Sequence, residues 1–428
     1  MSSKIQNDIK KLVEKQVITN EVAVNIENYY KSKKTDTPNR LFTVFAVLGS
    51  TLVGLGVILI LAHNWDDFSR SIKTVFAFTP LIIGQLIVGY TILKKKSITW
   101  CEGSGVFLFF AVGASMALVS QIYNIPGNFS SYMLTWILLC SPLIYLLKPN
   151  ALVILHIVFT TNYACSYGYF DGSQTPWLYI LLLGIVLPHY YKLLKSKKTH
   201  NITSIFNWLL PLSIVIVLGT FVSRSGEFGF LMYVILFGLL YNIGKLPFFD
   251  NQKLRKNGYL ILGSLGIIYM LLLTSFEWLW EDLLRHDFVF NVQEFYMSLV
   301  LFLITLGVLI YSYSKKWIQN FNLFQYVFII FTIIFFIGIS GSFISIALIN
   351  LLILALGIMT IKIGADKFHF GILNYGLLII TTLIVCRFFD TNMSFVVRGL
   401  LFVCVGVGFF LTNYMMLKKQ KSKAKIEK

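Results

Sequence analysis

The side chains best suited to chemistry in this sequence stand at the ends of two apolar runs. They are His63, Asp66, Asp67 and Arg70, which follow the first run, and Arg387, Asp390 and Arg398, which lie near the last. Arg387 and Asp390 are three residues apart, so they can pair on one face of a helix. If the two runs meet, this cluster could bind a polar or anionic ligand, such as a lipid headgroup or a glycan phosphate. The favoured alternative is structural, with interfacial anchoring and a salt bridge that closes the fold.

A second set of polar side chains lies inside apolar runs, where burial in lipid is costly. They are Gln85, Gln121, His156, Asn162, Asn350 and Asn374, with His189 and Asn242 in similar positions. Amides at such positions commonly form hydrogen bonds between membrane helices, each worth about 0.6–2 kcal/mol. A single histidine such as His156 is more typical of packing than of a proton relay. No carboxylate stands in the middle of an apolar run, which argues against ion-coupled transport.

Motifs of soluble enzymes are absent from the sequence. It has no Walker loop, no GxSxG, no HExxH and no dinucleotide fingerprint, and its six histidines lack metal-ligand spacing. The five cysteines are widely spaced and form no CxxC, so neither a disulfide framework nor a zinc site is indicated. We therefore predict no catalytic residues, no metal and no cofactor.

The elements that must position these side chains follow from the composition. Of the 428 residues, 57% are hydrophobic and only 13% are charged, whereas a soluble chain carries about 25% charged residues. The mean hydropathy is +0.74. The chain is therefore predicted to be an all-α, polytopic helix bundle embedded in the lipid bilayer. Its hydrophilic N-terminus predicts no cleavable signal peptide.

The first predicted span, residues 41–62, has no charge and is long enough to cross a hydrocarbon core of roughly 30 Å. Its small residues Gly49, Ser50, Gly54 and Gly56 favour close packing against another helix. Further spans are predicted near 72–93, 104–123, 131–147, 150–169, 177–194, 202–222, 228–244, 258–276, 295–313, 321–339, 342–361, 369–389 and 395–417, about fourteen in all. Pro80, Pro142, Pro188 and Pro211 lie inside these runs and predict kinks. The boundaries at 148–150 and 340–341 are the weakest, so twelve or thirteen spans remain open, and the two helices at the first boundary could be one re-entrant hairpin.

The distribution of lysine and arginine predicts the orientation. If the N-terminus is cytoplasmic, 30 of the 36 basic residues lie in cytoplasmic segments, and basic loops alternate with non-basic loops along the whole chain. This pattern accounts for the net charge of +17, so nucleic acid is not predicted as a partner. The protein is expected in the inner membrane of the cell, with both termini in the cytoplasm.

The hydrophilic segments predict three regions: an amphipathic helical hairpin at 1–40, the transmembrane bundle at 41–417 and a basic tail at 418–428. The hairpin has apolar residues at helical spacing, with Thr19 as the N-cap of its second helix. It could dock a cytoplasmic protein partner or, as favoured, lie on lipid headgroups. Residues 277–294, with paired tryptophans, predict a helix along the outer interface.

The order of a helical hairpin, a glycine-rich span and an HNWD tip, from LVEKQVITNEVAVNIENYY to NRLFTVFAVLGSTLVGLGVILILAHNWDDFSRSIK, resembles the bacterial membrane proteins grouped as domain of unknown function 2157. The resemblance covers residues 1–145, and the tail around Asn374 and Arg387 is similar to longer members. That family has no assigned activity, so the resemblance implies architecture and no chemistry.

Three functions fit these observations. The first is a non-catalytic scaffold, sensor or assembly factor whose N-terminal hairpin docks a partner. The second is a transporter or flippase-like carrier of a polar or lipid-linked substrate, since seven plus seven spans suit inverted repeats. The third, less favoured, is a membrane-embedded enzyme that acts through His63, Asp66 and Asp67. A continuous polar cavity would indicate a carrier, and a filled bundle would indicate a scaffold.

Overall fold

The structure, a computed structural model, describes most of the chain as helices. The described residues are 9, 11–32, 65–148, 150–170, 174–196, 198–222, 226–249, 253–283, 290–317, 321–340, 342–390, 396, 399–400, 403, 406–408, 410–411, 413–414 and 417–418. These residues form helices and turns and contain no strand, which confirms the all-α class. The chain divides into two compact units, Met1–Phe76 and Ala77–Lys428.

In the first unit, helix α1 is Asn20–Ser32. The hydroxyl of Thr19 accepts a hydrogen bond from the N–H of Val22 at 3.4 Å, as expected for an N-cap. Residues 11–14 are also helical, so both predicted amphipathic segments contain helix. The predicted first span, residues 41–62, lies outside the described residues.

The remaining helices are named here in chain order. They are α2 Arg70–Leu93, α3 Ile98–Tyr123, α4 Phe129–Leu147, α5 Asn150–Cys165, α6 Leu178–Gly184, α7 Leu187–Ser196, α8 Asn201–Leu218, α9 Gly226–Gly244, α10 Gly258–Thr274, α11 Glu277–Leu283, α12 Gln293–Ser314, α13 Val327–Ser340, α14 Ser342–Asp366 and α15 Phe370–Asp390. A π-helical turn, Ser166–Phe170, extends α5.

Within the described residues, 10 helices are long and apolar enough to cross a membrane, by length and composition. In this count α6 and α7 form one candidate span, Leu178–Ser196, and two shorter apolar helices, Gly258–Thr274 and Val327–Ile339, occupy predicted spans as well. The described helices thus correspond to every predicted span except the first and the last. The first is not described and the last only at scattered residues, so the count of fourteen stays a prediction.

Both uncertain boundaries separate two distinct helices. Lys148 ends α4 in the left-handed conformation, with φ 53°, and α5 begins at Asn150. Helices α4 and α5 are each part of a candidate span, which favours two spans over one re-entrant hairpin. Near the other boundary, the hydroxyl of Ser345 in α14 donates to the carbonyl of Ile334 in α13 at 2.9 Å. The chain therefore folds back tightly between α13 and α14.

Of the four prolines inside apolar runs, Pro188 has the largest effect on its helix. Helices α2, α4 and α8 continue through Pro80, Pro142 and Pro211. The predicted span at 177–194 is interrupted between Gly184 and Leu187. The interruption has a direct cause, because proline has no N–H to donate to the carbonyl four residues earlier, that of Gly184.

Helix α9 is the most buried of the described candidate spans and forms the centre of the second unit. Aromatic rings fill the space around it, among them Phe228 of α9 itself and Phe328, Phe331 and Phe335 of α13, each at most 1% exposed. The middle of this part of the bundle is therefore a packed aromatic core.

Glycines let two pairs of helices approach at backbone distance. A methyl group built on Gly263 of α10 would lie 2.8 Å from the Cα of Tyr241 in α9. One built on Gly364 of α14 would lie 2.6 Å from the Cα of Leu373 in α15. Both distances are far below ordinary van der Waals separation, so a side chain at either glycine would push the helices apart. These glycines act as the small residues that allow membrane helices to pack closely.

Helix α11 covers the first part of the segment 277–294, for which an interfacial helix is predicted, and its two tryptophans differ in burial. Trp278 is 57% exposed, but Trp280 is fully buried. The indole N–H of Trp280 donates to the carbonyl of Thr274 at 2.7 Å, and its ring lies against Gly338 and Phe335. Trp280 therefore anchors the short helix into the bundle.

Candidate anion-binding site

Hydrogen bonds join the lysine-bearing loops of the second unit at one end of the helix bundle, called here the basic end. It is formed by the described loop residues 94–97, 148, 198–200, 245–249, 253–257, 315–317, 321–322 and 367–369. Lys198 Nζ donates to the carbonyl of Pro247 at 3.0 Å, and Lys256 Nζ donates to that of Thr199 at 2.6 Å. The amide of Asn322 donates to the hydroxyl of Tyr241 at 2.8 Å. Loops that the lysine and arginine pattern assigns to the same side thus contact one another at this end of the bundle.

A cavity of about 720 Å³, called here the basic pocket, opens at the basic end between the last turn of α9, the first turns of α10 and α15, and the last turn of α14. Its basic lining residues are Lys245, Lys253, Lys367 and His369. Among the described residues that line it there is no carboxylate. The pocket is therefore electropositive.

Two asparagines hold the walls of the basic pocket in place, and each uses both atoms of its amide. Asn257 accepts from the N–H of Leu260 at the start of α10 and donates to the carbonyl of Gly244 at the end of α9, at 3.1 and 2.7 Å. Asn322 accepts from the N–H of Phe324 at 3.2 Å, while its amide nitrogen reaches Tyr241. Asn257 is buried, so the ends of α9 and α10 are fixed relative to each other.

The lysines that line the pocket are exposed to solvent and reach it from separate segments. Lys245 Nζ lies 5.5 Å from the ring centroid of Tyr241, a cation–π contact. The ammonium groups of Lys253 and Lys367 have no hydrogen bond or ion pair with any residue that the structure describes. Exposed ammonium groups that converge on one cavity attract anions as point charges. Basic pockets between membrane helices are suited to anionic headgroups.

Below the lysines the pocket becomes apolar. Leu260, Leu265, Ile363 and Ile372 line this part. The hydroxyls of Ser264 and Thr360 donate within their own helices, to the carbonyls of Ile261 and Leu356, whereas the buried hydroxyl of Tyr375 makes no hydrogen bond to a described residue. The basic pocket thus has a charged opening and an apolar floor.

The predicted polar cluster at the ends of two apolar runs is only partly described. Asp66, Asp67 and Arg70 are exposed residues of the first unit. His63, Arg398 and the side chain of Asp390 lie outside the described residues, so the proposed Arg387–Asp390 pair stays a prediction.

In the second unit, Arg387 is held at the end of the bundle opposite to the basic end. Its Nη2 donates to the hydroxyl of Ser275 at 3.0 Å, and its guanidinium lies 4.7 Å from the ring centroid of Phe276. Arg387 therefore ties α15 to the segment that follows α10.

The side chain of His156 forms a hydrogen bond with a backbone carbonyl in the interrupted helical segment before Pro188. Its Nε2 lies 2.9 Å from the carbonyl of Leu182, a group that would accept from Val186 in an unbroken helix. Because a carbonyl can only accept, Nε2 carries the proton. The N–H of Val186 instead reaches Leu183, and the hydroxyl of Tyr145 donates to Ile185 at 2.6 Å. Side chains from α4 and α5 thus replace the lost backbone hydrogen bonds.

The intramembrane amides behave differently from one another. Asn374 accepts a hydrogen bond from Asn413 at 3.1 Å, while Asn350 donates at 2.8 Å to the carbonyl of Ile346 in its own helix. Asn162 is exposed and has no hydrogen-bond partner among the described residues. Among the described residues, the side chain of Asn374 thus bonds to a residue far along the chain, that of Asn350 bonds within its own helix, and that of Asn162 makes no hydrogen bond.

Gln85 of α2 and Gln121 of α3 line a second, larger cavity of about 1020 Å³ between α2, α3 and α4. Both glutamines are exposed to it, and among the described residues neither makes a hydrogen bond. Most of the other lining is apolar or hydroxyl-bearing, and no charged residue of the described chain lines it. The two predicted polar positions are thus brought to one cavity.

Sequence reasoning missed two carboxylates near helix ends. Both oxygens of Glu102 accept backbone N–H groups at the start of α5, from Asn150 at 2.8 Å and Ala151 at 2.7 Å. His189 Nε2 lies 3.2 Å from the amide oxygen of Asn150. A carboxylate at a helix N-terminus is stabilised by the helix dipole. Glu294, in the first turn of α12, is fully buried.

The basic pocket was missed as well, because its residues come from three separate segments of the chain. The available signal was the recurrence of lysine and asparagine directly before or after an apolar run, at Asn257, Asn322 and Lys367.

Comparison with known proteins gives one match. Residues 10–153 match a family described as "Predicted membrane protein (DUF2157)", which confirms the resemblance for the N-terminal region. No curated protein and no solved structure matches the chain. The matched region includes α1 to α4, with the cavity lined by Gln85 and Gln121, whereas the basic pocket lies in the part of the chain that follows it.

Proposed function

We propose, starting from the match of residues 10–153 to a family of predicted membrane proteins, that this chain is a non-catalytic, many-spanning inner-membrane protein that binds a phosphate-bearing anion in the basic pocket. The observation that carries the proposal is the convergence of Lys245, Lys253, Lys367 and His369 on one cavity whose described lining holds no carboxylate.

The basic end faces the cytoplasm in this proposal, and the chain crosses the membrane fourteen times with both termini inside. The support is the lysine and arginine bias of short loops, which sets orientation in membrane proteins. The hydrogen bonds between Lys198 and Pro247 and between Lys256 and Thr199 add to it, because they place loops of the same predicted side against each other.

The packed centre of the second unit favours binding over transport. Phe228, Phe328 and Phe335 are buried around α9, while the basic pocket lies at the helix ends. A scaffold or sensor with a ligand site at its cytoplasmic face fits this arrangement. Residues 1–40 are then the element that docks a cytoplasmic partner.

The test is a thermal-shift measurement on the full chain in nanodiscs of neutral phospholipid. One arm adds inorganic phosphate or glycerol phosphate, and the other adds phosphatidylglycerol to the bilayer. A ligand at 100 times its dissociation constant stabilises the folded state by about 2.7 kcal/mol. We expect stabilisation in at least one arm, and the arm that responds identifies a soluble or a lipid source of the anion.

The variants K253Q and K367Q are expected to lose most of this stabilisation. K362Q is the matched control, because Lys362 is an exposed lysine in the last turns of α14, five residues before Lys367, and does not line the pocket. Added salt is expected to weaken the effect, since exposed charges are screened. No stabilisation in either arm, or equal losses in K367Q and K362Q, would contradict the proposal.

A carrier is the second candidate, and the cavity lined by Gln85 and Gln121 favours it, because uncharged amides in a large membrane cavity can hold a polar substrate. In this case Q85A and Q121A would lower the uptake of a labelled lipid-linked substrate by proteoliposomes that contain the protein. Uptake no faster than in empty liposomes would reject the carrier.

A further inference from the structure

We infer that the occupant of the basic pocket is an anionic glycerophospholipid that enters from the bilayer between α10 and α15. This inference rests on the proposed anion site and specifies its ligand. The headgroup lies against the lysines, and an acyl chain leaves the pocket between the two helices.

The depth of the pocket is the first observation. Its lining continues along α10 to Leu265, seven residues after the helix begins, and along α15 to Tyr375, five residues after its start. At 1.5 Å per residue these positions lie roughly 10 and 8 Å below the helix starts. A phosphate group alone reaches no further than the lysines, whereas a lipid also occupies the apolar floor.

The sideways opening is the second observation. Leu265 lines the pocket and is 49% exposed, and Tyr269, one turn further along α10, is 61% exposed. On α15, Leu378 is 56% exposed, close to the lining residue Tyr375. Apolar side chains exposed on membrane-spanning helices face lipid, so the pocket borders the acyl region of the bilayer.

The third observation concerns the closest contacts of α10 and α15, which each helix makes with a different neighbour. Helix α10 packs against α9 through Gly263 and Gly266, and α15 packs against α14 through Gly364 and Gly376. These glycine contacts point to α9 and α14 and leave the space between α10 and α15 without one. Helices α10 and α15 touch each other at only a few positions, so an acyl chain that passes beside these contacts separates neither close pair.

Charge and apolar depth together favour a lipid over a soluble anion. Exposed lysines interact weakly with an isolated anion in water. Each buried methylene of an acyl chain adds affinity. The pocket provides both contacts, in the order in which a glycerophospholipid presents its headgroup and its chain.

The experiment compares two soluble probes on the full chain in neutral nanodiscs, glycerol phosphate and dioctanoyl phosphatidylglycerol, with binding measured by calorimetry. We expect the lipid probe to bind at least about tenfold more tightly than glycerol phosphate. L265W narrows the space between α10 and α15, so it should weaken the lipid probe about tenfold and leave glycerol phosphate unchanged. K367Q should weaken both probes.

L303W is the matched control, because Leu303 on α12 is 57% exposed and does not line the pocket. I372W narrows the space from the opposite wall and replaces L265W if that variant does not fold. Equal affinity for the two probes, or unchanged lipid binding in both folded tryptophan variants, would overturn the lipid inference and leave the anion site intact. Failure of wild type to bind either probe would overturn the proposed function as well.

Discussion

Replacement of Gly364 by alanine tests whether the backbone contact between α14 and α15 holds the basic pocket in shape. The added methyl group would lie 2.6 Å from the Cα and 2.8 Å from the Cβ of Leu373, and the nearest backbone nitrogen is that of Leu373. Normal contact requires about 1 Å more, so the two helices must separate. Insertion of a methyl group into a close-packed site costs roughly 1–3 kcal/mol.

The matched control is Gly307 of α12, where an added methyl group meets nothing within 4 Å. Alanine stabilises a helix relative to glycine by roughly 0.5–1 kcal/mol. G307A is therefore expected to be slightly more stable than wild type, whereas G364A is expected to be less stable than wild type by up to about 2.5 kcal/mol once the same helical gain is subtracted from the packing cost.

Reversible unfolding of both variants in mixed detergent micelles measures these free energies, with helix content followed by circular dichroism. G364A should also bind the anion more weakly, because Lys367 lies three residues beyond the altered contact and lines the pocket. Equal stability of G364A and G307A would refute the packing of α14 on α15 described above.

Three further predictions concern other contacts. H156L removes the donor to Leu182 at the helix break, so it should lower the free energy of unfolding by about 1–2 kcal/mol, and unfolding equal to wild type would contradict this role. E102A should cost about 1 kcal/mol through the loss of the cap at Asn150, with E102Q intermediate, as measured by the same unfolding assay. A topology reporter fused after Lys428 should report a cytoplasmic location for the C-terminus. A periplasmic signal from this fusion would contradict the fourteen-span topology.

The described candidate spans could be predicted from the sequence because each is a long apolar run flanked by short polar or charged segments, and this pattern requires no knowledge of neighbours. The helix interruption near Pro188 was also open to prediction, since a missing N–H is a local property. The hydrogen bond from His156 to the carbonyl of Leu182 within the interrupted segment could not be predicted, because His156 lies on another helix and its sequence position gives no sign of Leu182.

Tertiary packing explains what the sequence could not predict. Trp278 and Trp280 look alike in the sequence, yet Trp280 is buried because Gly338 leaves room for its ring. The basic pocket was hidden because Lys245, Lys253 and Lys367 look the same in sequence as the other loop lysines. What distinguishes them is the cavity to which α9, α10, α14 and α15 bring them.

The central claim is that the basic pocket holds an anionic group, and native mass spectrometry of the protein released from nanodiscs tests it most directly. Nanodiscs of mixed neutral and anionic phospholipid would carry wild type, the double variant K253Q/K367Q, and K362Q. The account predicts that wild type and K362Q retain anionic phospholipid while the double variant loses it. Equal retention by all three proteins would contradict the account.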